Sequence, residues 1–275
     1  MFFDYQIYRL FVACVKSIKL FFASKRFLPM NLWLDFWLTH RRETIVNVSN
    51  IKLFIRSENL KSKLADLYMV TNCVIDRQYD YAPGVLSQCG VIIDIGAHIG
   101  SFSVYAARQT EDSSIFSFEP SPENYFQFNK NIALNRLTNV HPFQKAIAAH
   151  SGKAPFYYDL FNNAAHSLIK ETKDFISVDC TTLKETFLDF KIEQCDFLKI
   201  DCEGAEYEIL FNTPAEILKR IKRIALEYHN PIFYGVKNVE HTSENLARFL
   251  NKMGFETKIL PENRAQGMLL AVRRQ

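Results

Sequence analysis

Four short stretches of this chain combine apolar strand-like runs with carboxylates and glycines in a way that could hold a small ligand and move a small group. In Val91-Ile-Ile-Asp-Ile-Gly-Ala-His-Ile-Gly100, an apolar strand ends at Asp94, a glycine turn follows and a helix starts near Ser101. Gly96 and Gly100 let the backbone turn tightly and approach a ligand closely. The helix N-terminus offers unpaired N–H groups suited to a carboxylate or phosphate. In Phe118-Glu-Pro-Ser-Pro122, Glu119 ends the next strand, where a carboxylate can accept hydrogen bonds from both hydroxyls of a ribose. Pro120 stops that strand, Ser121 suits an N-cap and Pro122 the first helical position. An ordinary charged strand end is the plain alternative for Glu119, and its pairing with the upstream loop argues against it.

The third stretch is Asp196-Phe-Leu-Lys-Ile-Asp-Cys-Glu-Gly-Ala-Glu206, with Lys199 inside a hydrophobic strand and Asp201, Glu203 and Gly204 at its end. A lysine in a short apolar run points into a polar site or pairs with a carboxylate. A structural ion pair of Lys199 with Glu203, tying strand to loop, is the bland reading. Ile224-Ala-Leu-Glu-Tyr-His-Asn230 repeats the design, ending in Glu227, His229 and Asn230. In open parallel sheets, ligands sit at the carboxyl ends of the strands. Asp94, Glu119, Asp201 and Glu227 would then lie along one edge.

The elements needed to place them there are legible. Strand-like runs at Val91–Ile95, Ser114–Glu119, Val140–Ala146, Phe197–Ile200 and Arg223–Glu227 alternate with helical stretches, which implies an α/β fold with a mostly parallel sheet and helices on both faces. Gly152–Cys180 breaks the alternation as a β insertion, and Phe255–Leu260 with Met268–Val272 close the sheet as a hairpin after a helix Glu244–Met253 ended by Gly254. Upstream, a strand or hairpin is expected at Thr44–Arg56 and a helix at Leu60–Tyr68.

At the N-terminus, Ile7, Leu10, Phe11, Cys14, Val15, Ile18, Phe21 and Phe22 recur at helical spacing, and Pro29 opens a second helical stretch with Leu32, Trp33, Phe36 and Trp37. Residues 1–42 carry seven Lys/Arg against two acids, whereas the whole chain of 275 residues has a net charge of +3. So small a net charge gives no case for nucleic acid. The basic segment fits either packing on the main domain, which base rates favour, or a peripheral contact of residues 1–42 with an anionic membrane surface. No apolar run is long enough to span a bilayer, and Arg9, Lys16 and Lys19 interrupt any signal-peptide core. Six cysteines without C-x-x-C spacing point to reduced thiols and a cytoplasmic location, membrane association left open.

Glycine spacing separates two cofactor classes. A dinucleotide fingerprint requires G-x-G-x-x-G, but here His98 stands between Gly96 and Gly100 where a pyrophosphate would need close approach, which disfavours NAD. From about residue 75 onward the chain resembles the FkbM family of S-adenosylmethionine-dependent methyltransferases. The resemblance rests on DIGAHIG with Ser101, FEPSPENY, KAIA at 145–148, TTLKE at 181–185, LKIDCEGAE at 198–206 and ALEYH at 225–229. It implies a Rossmann-like class I methyltransferase sheet of seven strands, O-methylation as the usual reaction, and sugars, glycans or secondary metabolites as frequent acceptors. The family commonly has Asn where this chain has His98. Residues 1–74 match the family poorly and form an N-terminal helical and mixed extension, residues 75–275 the methyltransferase domain.

S-adenosylmethionine is accordingly expected at Asp94, Gly96, Ala97, His98, Gly100, Glu119, Ser121, Asn124 and Asp201. Methyl transfer is an in-line displacement, and an alcohol acceptor needs a base as it attacks. Asp201, Glu203, Glu227 and His229 are the candidate bases, with Lys199 stabilising charge or holding a carboxylate. No resident metal is expected. A competing version has Asp201, Glu227 and Asn230 hold Mg²⁺, as in catechol-type methyltransferases. The alternatives in other classes are a nicotinamide-dependent oxidoreductase and a non-catalytic binding protein on the same fold. The sequence does not fix the oligomeric state.

Overall fold

Ser49 and Asn50 both adopt positive φ (47° and 69°), the conformation that a tight two-residue turn between antiparallel strands requires. They join Glu43–Val48 (β1) to Ile51–Arg56 (β2) in the hairpin expected there. The computed structural model describes residues 17–26, 28, 30–39, 43–82, 84–110, 112–158, 166–169, 172–230, 240–263 and 265–274. The first sixteen residues, on which most of the expected amphipathic helix falls, lie outside this set; its last turns form a helix over 17–23. Among the described residues no helix is long and apolar enough to cross a membrane.

Side chains close the edge of β2. Asn131, on the helix Pro122–Leu134, and Asn135, its C-cap, accept from the N–H groups of Phe54 (2.7 Å) and Lys52 (3.1 Å), and Gln127 donates to the Phe54 carbonyl. These amides replace a neighbouring strand and remove the pairing hazard of an open edge. The helix Leu60–Val70, capped by Asn59, continues as a π turn over Thr71–Ile75.

The main sheet begins with Val91–Ile95 (β3), Ser114–Phe118 (β4) and Val140–Phe143 (β5). The strand expected to run to Ala146 stops at Phe143, because Gln144 and Lys145 are exposed and the chain turns away there. Ala146–Ile147 (β6) joins Gly152–Tyr157 (β7) and Phe175–Thr181 (β8) in a separate three-stranded sheet, the expected β insertion. The chain then returns through the capping-box helix Leu183–Asp189 to Phe197–Ile200 (β9), Arg223–His229 (β10), Phe255–Pro261 (β11) and Gln266–Arg273 (β12).

The seven-stranded sheet has the order β11-β12-β10-β9-β3-β4-β5, parallel from β10 to β5, with β12 antiparallel between β10 and β11. This is a Rossmann-like α/β fold. Strands β3, β9 and β10 are buried almost throughout, as unbroken apolar runs covered on both faces must be, whereas edge strand β11 alternates. One face packs Ile92, Phe197 and Ala225 against Leu53, Ile55 and Leu67 of the N-terminal segment. The other packs Ile93, Leu198, Ile200 and Leu226 against Leu246 and Leu250 of the helix Ser243–Lys252.

From β3 the chain runs outward to β4 and β5, then comes back to β9 on the opposite side of β3. Strand order therefore reverses at the β3/β9 boundary, the place where such sheets open a crevice at their carboxyl ends.

Candidate active site

Two glycines set the shape of the loop after β3. Gly96 has φ +77°, and a Cβ there would lie 1.7 Å from the carbonyl oxygen of Asp201; a Cβ on Gly100, at φ +83°, would enter the Phe128 ring. The N–H groups of Gly96 and Ala97 both donate to the Phe118 carbonyl at 3.0 Å, which pins the loop to the end of β4. His98 follows at φ +53°, and its N–H donates to Glu119 Oε2 at 2.8 Å.

Asp94 and Lys199 lie beneath this loop. Both are fully buried, with the ammonium 3.0 Å from Asp94 Oδ1 and donating to the carbonyls of Gly96 (2.7 Å) and Ile95 (3.3 Å). Ser103 donates to the other Asp94 oxygen. Burial pulls the Lys199 pKa down, but Asp94 and Asp201 outweigh it and hold the side chain charged. Lys199 thus pairs with a carboxylate, as a lysine in an apolar strand must, and that carboxylate is Asp94 rather than the Glu203 of the bland reading. Lys199 braces the glycine loop from below.

Glu119, 4% exposed, also accepts from the N–H of Ser121 (2.8 Å) and from Asn124 Nδ2 (3.4 Å). Burial raises its carboxyl above the usual range, against the lowering effect of these donors. Ser121 caps the following helix, as its position predicted. Gly96, His98, Glu119 and Asn124 line one pocket together with Met69, Phe118, Ile147 and, from the β9 side, Asp201 and Glu203. Expected residues from β3, β4 and β9 therefore converge on it, whereas Glu227 and His229 of β10 are not among its lining. Asp94, Ala97, Gly100, Ser121 and Lys199 support the pocket from behind.

On the β9 and β10 side, Asp201 accepts from Tyr79 Oη at 3.0 Å. Glu227 is 5% exposed and accepts from Gln78 (3.2 Å) and Gln266 (2.7 Å). Burial, then Asp201, pushes its carboxyl up to about 8. His229 Nε2 lies 3.6 Å from Glu203 and 3.7 Å from Glu227, and Nδ1 lies 3.3 Å from Glu206. Burial disfavours an imidazolium, but Glu203, Glu206 and Glu227 override it and hold His229 charged. Asp201, Glu203 and His229 each offer an atom within 4.8 Å of the others, a spacing that a divalent ion could bridge. The same imidazole lies within ion-pair reach of Glu203, Glu206 and Glu227, so the cluster also reads as ion-paired through His229. Asn230 pairs its backbone N–H with Ala265.

Several contributors were not singled out from the sequence. Glu206, fully buried, accepts from the N–H of His229 (2.6 Å) and of Gly204 (2.8 Å); its place in the same acidic motif was the available signal. Gln78 and Tyr79 come from the loop after the π turn, where no periodicity marks them. Arg56 and Asp66 reach His98 from the N-terminal segment.

The model of the methyltransferase FkbM domain matches residues 94–257. Methyltransferase sdnD of Sordaria araneosa is 29% identical over 220 residues, spanning 67% of this chain and 84% of that protein. Methyltransferase 1 of Beauveria bassiana is 26% identical over 190 residues, 62% of this chain and 76% of the other. Among solved structures, magnesium protoporphyrin IX methyltransferase (ChlM) from Synechocystis PCC 6803 aligns at a TM-score of 0.43 and 13% identity, over 78% of this chain and 85% of that one, a loose likeness. The matched span runs from Asp94 in β3 into β11 and holds the glycine loop, Glu119 and the acid cluster, and the chain belongs to the FkbM methyltransferase family.

Proposed function

We propose that this methyltransferase takes the methyl group of S-adenosylmethionine to a hydroxyl oxygen of a sugar, glycan or secondary metabolite. The observation that carries the reading is the convergence of the glycine loop, Glu119 and Asp201 on one pocket at the reversal of strand order, with Glu227 electrostatically tied to Asp201 behind it. The residues fit the cofactor. Glu119 is buried with its two oxygens engaged by three donors, and a carboxylate keeps lone pairs for further donors such as ribose hydroxyls. When bound, S-adenosylmethionine supplies an electrophilic methyl.

In this reading Glu227 accepts the acceptor's proton. A carboxyl group with a pKa near 8 is close to the optimum for a base at neutral pH. Tyr79 orients Asp201 toward the pocket, Lys199 fixes the loop, and the charged His229 keeps Glu203 and Glu206 compensated. His229 is then a positioning cation, and the reaction needs no metal. Methyl transfer from labelled S-adenosylmethionine to a panel of hydroxylated and amine acceptors, with and without chelator, tests this. Transfer to amines alone would sink the O-methyl assignment, and loss of activity with chelator would sink the metal-free one.

The partner surface proposed for residues 1–42 is an anionic membrane. Over the described part, Ile18, Phe22, Met30, Leu34 and Leu38 are exposed, beside exposed Lys19, Lys25 and Arg26. Leu20, Trp33 and Phe36 face the core instead. Exposed apolar side chains interleaved with cations are what an interfacial helix presents to lipid.

A further inference from the structure

The last residue of β2 reaches the cofactor loop. Arg56 is 7% exposed and Asp66 fully buried, and they form a two-pronged ion pair: Nη2 donates to Oδ1 (2.7 Å) and Nε to Oδ2 (3.1 Å), while the Arg56 backbone N–H also donates to Oδ2 (2.7 Å). Such a fork is geometrically specific, because the guanidinium is planar and its donors are fixed. The same Nη2 lies 3.3 Å from His98 Nε2. A guanidinium carries donors only, so Nε2 must accept and the imidazole proton resides on Nδ1.

That Nδ1 is buried and has no hydrogen-bond partner among the described residues, yet His98 lines the cofactor pocket. Buried donors are rarely left unmatched, and those that are call for a ligand or a water. Burial first, then the charge of Arg56, keeps the ring well below the usual imidazole range; His166 and Lys199 push the same way, and Asp66 and Glu119 are the acids that face the residue. The left-handed φ of His98 and the bond from its N–H to Glu119 fix the ring's origin, so the tautomer decides what the ring can recognise.

We infer that Arg56 and Asp66 are positioning residues for the cofactor site: their ion pair holds His98 in its Nδ1–H tautomer, and that proton is donated to an acceptor oxygen of the bound cofactor, on its carboxylate or its ribose. Both residues lie outside the span 94–257 that the family model matches, so this is a contribution of the chain's own N-terminal segment. The inference rests on the cofactor reading above.

Nitrogen-15 correlation spectra of the histidine rings in the full chain test the wiring without any ligand. His98 should show the Nδ1–H form in wild type. In Arg56→Met/Asp66→Leu, where apolar side chains of similar bulk replace the ion pair, it should shift toward Nε2–H, and S-adenosylhomocysteine should bind about 10-fold more weakly. Arg56→Lys, which restores a donor, should recover the wild-type tautomer and most of the affinity. A wild-type ring in the Nε2–H or imidazolium form overturns the inference, as does unchanged affinity in a double variant whose tautomer has shifted. His98→Leu separates the two oxygens. Weakened binding of S-adenosylhomocysteine but not of methylthioadenosine, which lacks the carboxylate, assigns the donor to the carboxylate. Weakening of both assigns it to the ribose, and weakening of neither overturns the inference. If S-adenosylhomocysteine does not bind wild type, the cofactor reading fails and the ligand assigned to His98 fails with it, while the spectra still decide the Arg56 contact.

Discussion

The position that a side chain on Gly96 would occupy lies 1.7 Å from the carbonyl oxygen of Asp201. The glycine loop after β3 and the acid-bearing loop after β9 are thus in backbone contact, and nothing larger than hydrogen fits between them. Gly96→Ala should displace one loop or the other. The expected result is destabilisation of at least about 2 kcal/mol, from overpacking combined with a left-handed φ, and loss of measurable cofactor binding. Denaturant unfolding and calorimetry check both parts; wild-type stability would show that the loops are not in contact.

Glu119 accepts from His98 and Ser121 while facing the pocket. Glu119→Ala should weaken S-adenosylhomocysteine binding by roughly 1–3 kcal/mol, because a charged acceptor for the ribose hydroxyls is removed. Unchanged affinity in calorimetry would take Glu119 out of the site.

These two residues were readable because a glycine with an obligatory turn and an acid at a strand end leave local marks. Glu119, Asp201 and Glu227 stand at the carboxyl ends of β4, β9 and β10, and the sheet order brings them to one edge as the alternation of elements implied. Charge state was less legible. Glu203, Glu206 and Glu227 surround His229 and raise it above the usual imidazole range, and Glu206 among them has no role assigned from the sequence. That Lys199 pairs with a carboxylate is legible, but that the carboxylate is Asp94 follows from cross-strand register, a tertiary fact with no local signature. Gln78, Tyr79, Arg56 and Asp66 come from segments joined to the site only by packing.

Glu227 makes the pH dependence specific. As the base it must be ionised, so methyl transfer should rise with pH up to about 8 and level off above it, and Glu227→Gln should lose most activity, about 10²-fold or more. The stability effect has the opposite sense. A carboxyl group whose pKa is raised on folding leaves the fold intact at low pH and weakens it as pH climbs from the unfolded value through about 8. Glu227→Gln, which mimics the protonated form, should therefore raise Tm by at least about 3 °C at pH 9 and hardly at all at pH 4.5. A pH-independent Tm difference would show that Glu227 is not titrating.

The exposed side chains of Ile18, Phe22, Leu34 and Leu38, with Lys25 and Arg26, predict that the protein sediments with vesicles containing anionic lipid and detaches as salt rises past about 0.1 M, where the Debye length falls to ~10 Å. Phe22→Ser/Leu34→Ser should abolish sedimentation without altering cofactor affinity. Equal binding to neutral and anionic vesicles would contradict the electrostatic part, and a stable dimer in solution without vesicle binding would assign the face to a second copy.

Thermal unfolding in the presence of S-adenosylhomocysteine or NAD is the most direct test of the whole reading, since binding to the folded state alone raises Tm in proportion to the logarithm of ligand over Kd. The arrangement of Gly96, His98, Gly100 and Glu119 predicts a concentration-dependent rise with S-adenosylhomocysteine that is lost in Glu119→Ala, and none with NAD. Stabilisation by NAD, or by neither ligand, would contradict it.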